Sequence, residues 1–382
     1  MKFTIKRTVF IEQLNHVTKA ISQRTPIPIL MGVKILASED GLWLTGSDAT
    51  ISIEAFIDAS EPEHALTIEQ TGSIVLQAAV LSDIVRKLSD ETMQIAVRDR
   101  LQADITAGNA AFTLLGTAGD DYPRLPTIDE DSTFTLPAMT FKEVIHHTII
   151  SISTQEIRPM FTGIYFEFQA GQLKAVSTDS HRLSQRIVQV NSPEAKREEP
   201  LGLIIPGRSL NELVKIIHDD DDVEMTVSDQ QILFHTRNLY LYSRLLEGNY
   251  PDTDRLLPEN YDTRLVLSAS HFLKAIERAL IMSKEGRNHV VKLAMSADLT
   301  LLYGQSQEVG EVKEELTPKA FDGEDLTIAF NPQYMRQALR TFGDQDIVIR
   351  FQQATQPFLL LPLEREQERS VVQLITPIRT PE

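Results

Sequence analysis

Thr178-Asp179-Ser180-His181-Arg182-Leu183 sets a carboxylate, a hydroxyl and an imidazole on three consecutive residues. A nucleophilic triad needs those groups to converge in space, with the base oriented by a third group. Neighbours along a strand or turn do not converge in that way, and the segment reads instead as a turn exposing His181 and Arg182. His146 and His147 are adjacent, so they leave a helix in different directions and point to a structural or surface role rather than chelation. His218 followed by Asp219–Asp222 has donors for a hard cation, but it reads as a solvated loop after a helix. Phosphate-cradling glycine loops, HExxH helices and EF-hand spacings do not occur. With no cysteine in the chain, thiolate catalysis, disulfides and Cys-ligated metal are excluded. No active site assembles from these residues, and no catalytic residue, metal or cofactor is expected.

The elements that carry these residues repeat. Phe10-Ile11-Glu12-Gln13-Leu14, Phe141-Lys142-Glu143-Val144-Ile145 and Phe272-Leu273-Lys274-Ala275-Ile276 each begin with Phe and place an apolar residue four positions on, and 131 residues separate each from the next. Apolar residues continue at helical spacing, as in Leu14, Val17 and Ile21. A second helical segment follows in each case, Leu81–Leu88, Leu210–Ile217 and Met335–Phe342, and the three align without gaps. Asp121-Tyr122-Pro123-Arg124-Leu125 is matched by Asn249-Tyr250-Pro251 with Arg255-Leu256. The chain of 382 residues is therefore three copies of one unit, placed at 1–127, 128–254 and 255–382, with boundaries near Pro126–Ser132 and Pro251–Asp262. Between the helices, Ile29–Ile35, Leu42–Gly46, Ile164–Phe168 and Leu326–Phe330 alternate or run β-rich. Turns at Glu39-Asp40-Gly41 and Ala170-Gly171 divide them. Each unit is expected to be α+β, with two helices and about eight strands.

A formal net charge of −17 argues first against nucleic acid, because non-specific DNA binding is mostly phosphate neutralisation. A DNA partner would require the cations to be gathered on one face. Aligning the second helices puts Arg86, Lys215 and Arg340 at one equivalent position, with Lys87, Arg208 and Arg336 beside them. The first helices add Lys19, Lys142, Lys274 and Arg278, followed by Arg24, Lys284 and Arg287. Any solvated helix carries such residues. Their recurrence at one place in three units of an acidic chain favours function. The acidic residues Asp219–Asp222, Glu308, Glu311, Glu314 and Glu315 can lie elsewhere. Without aromatic stacking or a recognition helix, the contacts would be to phosphates and indifferent to base sequence. The C-terminal Leu374-Ile375-Thr376-Pro377-Ile378-Arg379 reads equally as a last strand or as the wall of a groove for a partner's peptide.

Over its full length the chain resembles the bacterial DNA polymerase sliding clamps, the DNA polymerase III beta subunits. The resemblance is carried by Met1–Ile5, Pro28-Ile29-Leu30, Leu44–Asp48, Thr178–Leu183, Asn249-Tyr250-Pro251-Asp252, Phe330–Tyr334 and Thr376–Arg379, in this order and around the threefold repeat. It implies a homodimeric head-to-tail ring of six domains, helices lining the hole and strands forming the shell. It implies double-stranded DNA as a partner, and a groove taking short peptides of the replicative polymerase, the clamp loader and repair proteins. That groove would use Phe161, Thr178, Ser180, His181, Arg182, Leu183, Pro251, Arg255, Leu256, Asn331, Tyr334, Leu374, Thr376, Pro377, Ile378 and Arg379. DNA-facing residues would include Arg24, Gln155 and Arg158, and the ring would close where Phe112 and Leu114 meet Ile281 and Met282, with Arg98 and Arg100 opposite Glu311, Glu314 and Glu315. Pro159-Met160 stands where some relatives carry an aromatic pair, and Thr376 and Ile378 where some carry methionine.

The competing class is a three-domain α+β hydrolase using His181, and a third is a scaffold that binds only proteins and forms no ring. The first lacks a convergent acid–base pair, and the second leaves the aligned cations unexplained. Apolar residues make up 42% of the chain and charged residues 24%, as in soluble globular proteins. The N-terminus alternates like a strand and lacks the apolar segment of a signal peptide, so a cytoplasmic location is expected.

Overall fold

Alternation at the N-terminus becomes a strand, Lys2–Lys6, with Phe3 and Ile5 facing the core. The chain then turns directly into the first helix. The computed structural model describes residues 1–125, 128, 132–191, 195, 198–283, 290–306 and 310–379. Lys284, Arg287, Glu308 and most of the Pro126–Ser132 link lie outside them. Six helices are described: α1 Arg7–Val17, α2 Ala78–Lys87, α3 Ala138–Thr148, α4 Gly207–Val214, α5 Ala269–Ser283 and α6 Pro332–Phe342.

The helices follow their apolar spacing. Phe10, Leu14 and Val17 give α1 one buried stripe, while Phe272, Ile276, Ala279 and Leu280 do the same for α5. At the start of α1 the Arg7 amide donates to the Glu91 carbonyl at 2.8 Å, partnering a backbone group no helix can satisfy itself. Asn331 caps α6, its side chain accepting from the Gln333 amide at 2.9 Å, with Pro332 in the first helical position. Two expected helices end early. α1 stops at Val17 and tightens through Thr18–Ala20, leaving Ile21 extended. α4 stops at Val214, where the Lys215 and Ile216 amides reach back only three residues, to Glu212 and Leu213. Lys215 therefore stands in a tight turn. The strand expected from Ile29 begins at Gly32 instead, because Pro28–Met31 form a short 3-10 turn that buries Leu30.

By internal packing the chain divides into two units, Met1–Met139 with Arg208–Leu245, and Thr140–Gly207 with Leu246–Glu382. The middle repeat thus contributes strands to both. In the first unit a nine-stranded antiparallel sheet runs in the order Thr117–Ala118, Gly72–Gln77, Gly32–Ala37, Gly41–Ser47, Ile51–Asp58, Leu239–Arg244, Gln231–Thr236, Asp222–Val227, Ser132–Pro137. Its two repeats join where Ile51–Asp58 pairs with Leu239–Arg244, Ile51 opposite Ser243. A five-stranded sheet completes this unit and ends on the edge strand Ala110–Leu115. Gly46 permits the close seat of α1 on the sheet, since a Cβ there would lie 2.2 Å from the Val17 carbonyl oxygen.

The second unit repeats the plan. Its nine-stranded sheet runs Leu201–Pro206, Gly163–Gln169, Gln172–Thr178, Arg182–Gln189, Val371–Ile375, Phe358–Pro362, Asp346–Phe351, Thr263–Ser268, Ala320–Gly323. The joint between repeats is again a strand pair, with Arg182 opposite Ile375. A four-stranded sheet ends on the edge strand Gly310–Leu316. Phe272, Ile276, Leu293, Phe330, Leu339, Phe342 and Phe358 form one core where α5 and α6 face these sheets.

Candidate functional site

At the joint in the second unit, the segment singled out from the sequence is a tight turn between two sheet strands. The Asp179 carboxylate accepts from the His181 and Arg182 amides at 2.9 and 3.1 Å with one oxygen, and from Arg182 Nε at 2.9 Å with the other. Thr178 Oγ1 donates to the Arg182 carbonyl at 2.6 Å. These bonds hold Ser180 at φ 77, a left-handed conformation uncommon for serine. Asp179 is occupied by backbone and by Arg182, and it does not orient the His181 ring. The geometry is that of a rigid corner.

Two further residues fix the Arg182 guanidinium. Its Nη1 donates to Gln337 Oε1 on α6, and its centre lies 4.3 Å from the Tyr334 ring centroid. The Tyr334 hydroxyl titrates above its ordinary range, first through burial and then through the Asp179 charge, with Arg182 opposing. The C-terminal tail crosses this corner. Thr376 donates to the His181 carbonyl through its amide at 2.9 Å and its hydroxyl at 2.7 Å, and the Ile378 amide donates to Ala329 at 2.7 Å. Val371–Ile375 is a sheet strand and Thr376–Arg379 a strap beyond it, so the tail is a last strand as far as Ile375.

Beneath the strap, Leu183 and Leu374 are buried in a core patch with Val176, Val348 and Leu359, on which Tyr250 and Leu257 pack. They form the floor. Phe161 is also buried, edge-on to Tyr250 with ring centroids 5.8 Å apart. Pro251, Leu256, His181 and Arg379 are exposed around the rim, Pro377 and Ile378 are half-buried, and Arg255 pairs with Asp252 at 2.9 Å. Leu183, Leu374 and Phe161 thus lie beneath the Thr376–Arg379 strap, with His181, Pro251, Leu256 and Arg379 exposed around it. Asn331 does its visible work as the cap of α6. Asp179, Tyr250 and Gln337 join this corner beyond the residues the resemblance implies; the first two lie in the Thr178–Leu183 and Asn249–Asp252 motifs, while nothing in the sequence at Gln337 signals its contact.

The cations are exposed, yet each of the three equivalent ones has an acidic neighbour. Arg86 lies 3.8 Å from Asp83, Lys215 2.8 Å from Glu212 and Arg340 2.7 Å from Glu277, with side chains 63%, 54% and 55% exposed. Surface pairs of this kind contribute about 0–1 kcal/mol each and exchange partners readily. Arg208 pairs with Asp48 and Arg278 with Glu314, while Arg24, Lys87, Gln155, Arg158 and Lys274 are exposed. Arg336 is half-buried, its Nε lacking a hydrogen-bond partner. Around the acidic run, Asp221 is buried and, with Asp220, held by Arg237, so the loop is tethered rather than freely solvated.

Both edge strands carry expected interface residues. On Ala110–Leu115, Phe112 is exposed, Leu114 half-buried, and Leu115 is 77% exposed. Nearby, Arg98 pairs with Asp104, and Arg100 is exposed in a left-handed conformation at φ 60. On Gly310–Leu316, Glu311 lies 3.4 Å from Lys313 and Glu315 is exposed; Ile281 on α5 is 61% exposed and Met282 half-buried. Among the described residues each of these strands pairs on one side only, and Phe112 and Leu115 give the first an exposed apolar edge of the kind that invites another strand.

Three consecutive parts of the chain match the DNA polymerase III beta subunit, its N-terminal domain over residues 1–126, central domain over 135–252 and C-terminal domain over 254–379. The beta sliding clamp of Bacillus subtilis is 42% identical over 383 residues, covering 100% of each chain. The crystal structure of the DNA polymerase sliding clamp from Bacillus subtilis superposes with a TM-score of 0.95 at 41% identity and covers 100% of both chains. That of the DNA polymerase III beta chain from Streptococcus pneumoniae gives 0.94 at 37% identity, over 99% of this chain and 100% of the other. With three clamp domains of α+β architecture, the chain belongs to the DNA polymerase III beta-subunit family, the bacterial sliding clamps.

Proposed function

We propose that the protein is a processivity clamp that encircles double-stranded DNA and performs no chemistry of its own. Two copies join head to tail, the edge strand Ala110–Leu115 of one extending along Gly310–Leu316 of the other. Phe112 and Leu114 meet Ile281 and Met282, and Arg98, released from Asp104, stands with Arg100 opposite Glu311, Glu314 and Glu315. Each copy supplies three domains, 1–127, 128–254 and 255–382. Arg86, Lys215 and Arg340, with Arg24, Lys87, Gln155, Arg158, Arg208, Lys274, Arg278 and Arg336, face the phosphates. The strapped groove at Thr178–Leu183 takes short linear peptides of the replicative polymerase, the clamp loader and repair proteins. With chromosomal DNA as its track, it works in the cytoplasm; none of the described helices is long and apolar enough to cross a membrane.

The observation that carries this reading is the recurrence of an exposed cation at one equivalent position in three repeats of a chain with net charge −17. A catalytic role for His181 has less support, because Asp179 is bound to backbone and Arg182. The test is topological. Loaded on nicked circular DNA, the protein is expected to stay bound at moderate salt and to be lost on linearisation. Equal retention on both forms would show that it does not encircle DNA.

A further inference from the structure

The corner beneath the peptide groove is built twice. In the first unit the Asp48 carboxylate accepts from the Thr50 and Ile51 amides at 2.9 and 3.0 Å, as Asp179 does from His181 and Arg182. Ser47 Oγ takes the Ala49 amide at 3.1 Å, as Thr178 Oγ1 takes that of Ser180 at 3.2 Å. Ala49 has φ 74 where Ser180 has 77. The Arg244 amide donates to the Thr50 carbonyl at 3.1 Å, matching the strap bond from Thr376 to His181 at 2.9 Å. Tyr122 and Tyr250, from the matched motifs, both bury a hydroxyl against the backbone of Ser47 or Thr178 without a hydrogen bond of normal geometry.

This second corner opens into a cavity of 240 Å³, lined among others by Thr50, Pro123, Arg124, Leu125, Tyr242 and Arg244. Its chemistry differs from that of the groove in one decisive respect. Ser52, bonded to Ser47 Oγ at 2.7 Å, occupies the place that Leu183 holds in the groove, so the floor is polar instead of aliphatic. No carboxylate is among the described residues lining the cavity, and two arginines are, in a chain where acids outnumber bases 54 to 37. Burial pushes the Tyr242 hydroxyl up to about 12, so it stays protonated as a donor.

We propose that this cavity is a second docking site, for an acidic linear peptide segment of a partner protein. The proposal rests on the reading of the Thr178–Leu183 corner as a peptide groove. A carboxylate side chain enters between Arg124 and Arg244, its neighbouring backbone meets Thr50 and Tyr242, and Pro123 and Leu125 cover the peptide's apolar side. The volume suits one or two peptide residues rather than a folded surface or a duplex backbone.

Fluorescence anisotropy on the full-length protein tests this with two probes. One is a labelled, acetylated Glu-Asp-Asp-Leu peptide; the other is a Gln-, Leu- and Phe-rich peptide for the groove. With the groove saturated by the second probe, the acidic probe is expected to bind still. The Arg124→Glu, Arg244→Glu double variant should weaken it at least tenfold and leave the groove probe unchanged. Deleting residues from Thr376 onward should do the reverse. The milder Arg124→Gln, Arg244→Gln variant serves if charge reversal disturbs folding, with a smaller loss in the same direction. Acidic-probe affinity unaltered by both double variants, or lost with the tail deletion, overturns the proposal, as does displacement by duplex oligonucleotide instead of unlabelled acidic peptide. Failure of the groove probe to respond to the tail deletion would count separately, against the groove.

Discussion

Deletion of residues from Thr376 onward separates the groove from the fold. Among the described residues the strap is held by three hydrogen bonds, two to the His181 carbonyl and one to that of Ala329. At about 1 kcal/mol net for each, its anchoring amounts to about 3 kcal/mol, small beside the pairing of the strand before it. That strand, Val371–Ile375, bonds to Arg182–Gln189 on one side and Phe358–Pro362 on the other, and its residues are buried. The truncated chain is therefore expected to fold. What it loses is one wall, Pro377 and Ile378, together with the Arg379 charge. Removing an apolar anchor from a peptide site weakens binding by about 2 kcal/mol or more, roughly 30-fold in Kd. Calorimetry with a Gln-, Leu- and Phe-rich peptide should record that loss, while sedimentation shows an unchanged dimer, since the proposed ring contacts lie on other strands. An unaltered Kd would refute the groove, and a monomer would show that the strap supports the ring.

Replacing Arg86, Lys215 and Arg340 together by Glu should weaken DNA retention and make the fall of log K with log salt shallower by up to about five, since the two-copy ring loses six cations at about 0.9 per phosphate contact. Unchanged loading and salt response in the folded variant would sink the proposed DNA face. Ile281→Ala with Met282→Ala should give monomer by sedimentation with little loss of folding stability, because Ile281 is mostly exposed in the single chain; a dimer persisting at low concentration counts against that interface. The His147 ring is held down to about 4, chiefly by burial and further by Arg186 and His146, with its bond to the Glu143 carbonyl opposing. The unfolded chain then binds a proton that the folded chain refuses, so stability is intact above the ordinary His value and falls as pH drops towards 4, by at most about 3 kcal/mol and less for the ring's partial exposure. Denaturant titrations of His147→Gln should show a shallower decline over that range, and an identical decline would exclude His147 as its source.

Periodicity carried much of this into view. Phe10, Phe141 and Phe272 each became the buried anchor of a first helix, because a repeated apolar stripe needs only local spacing to be read. Helix ends were less legible. Val17 and Val214 stop their helices through short backbone bonds that compete with continued apolar spacing. Sheet continuity was not legible at all. Ile51–Asp58 finds its partner in Leu239–Arg244, and Arg182–Gln189 in Val371–Ile375, pairings so distant along the chain that no window of sequence contains both strands. Those same joints build the two corners, which is why the motif at Thr178–Leu183 could be marked as exposed but its bonds to the tail and Gln337 could not.

The acidic pairing of the repeated cations bears directly on how a clamp holds its track. A cation buried against its carboxylate could not be lent to a phosphate without leaving a charge uncompensated, at several kcal/mol. Arg86, Lys215 and Arg340 are in the opposite situation, more than half exposed and paired for about 1 kcal/mol or less. On the clamp reading, a passing phosphate takes such a cation from its neighbour at little cost and returns it as the duplex advances. Each contact is then weak and independent of base sequence, and retention comes from closure of the ring. A tighter set of cations, without Asp83, Glu212 and Glu277 beside them, would hold DNA harder in place and slide less. On that reading, charge balance at these positions favours motion along the duplex, and the acidic neighbours of the three cations serve it rather than oppose it.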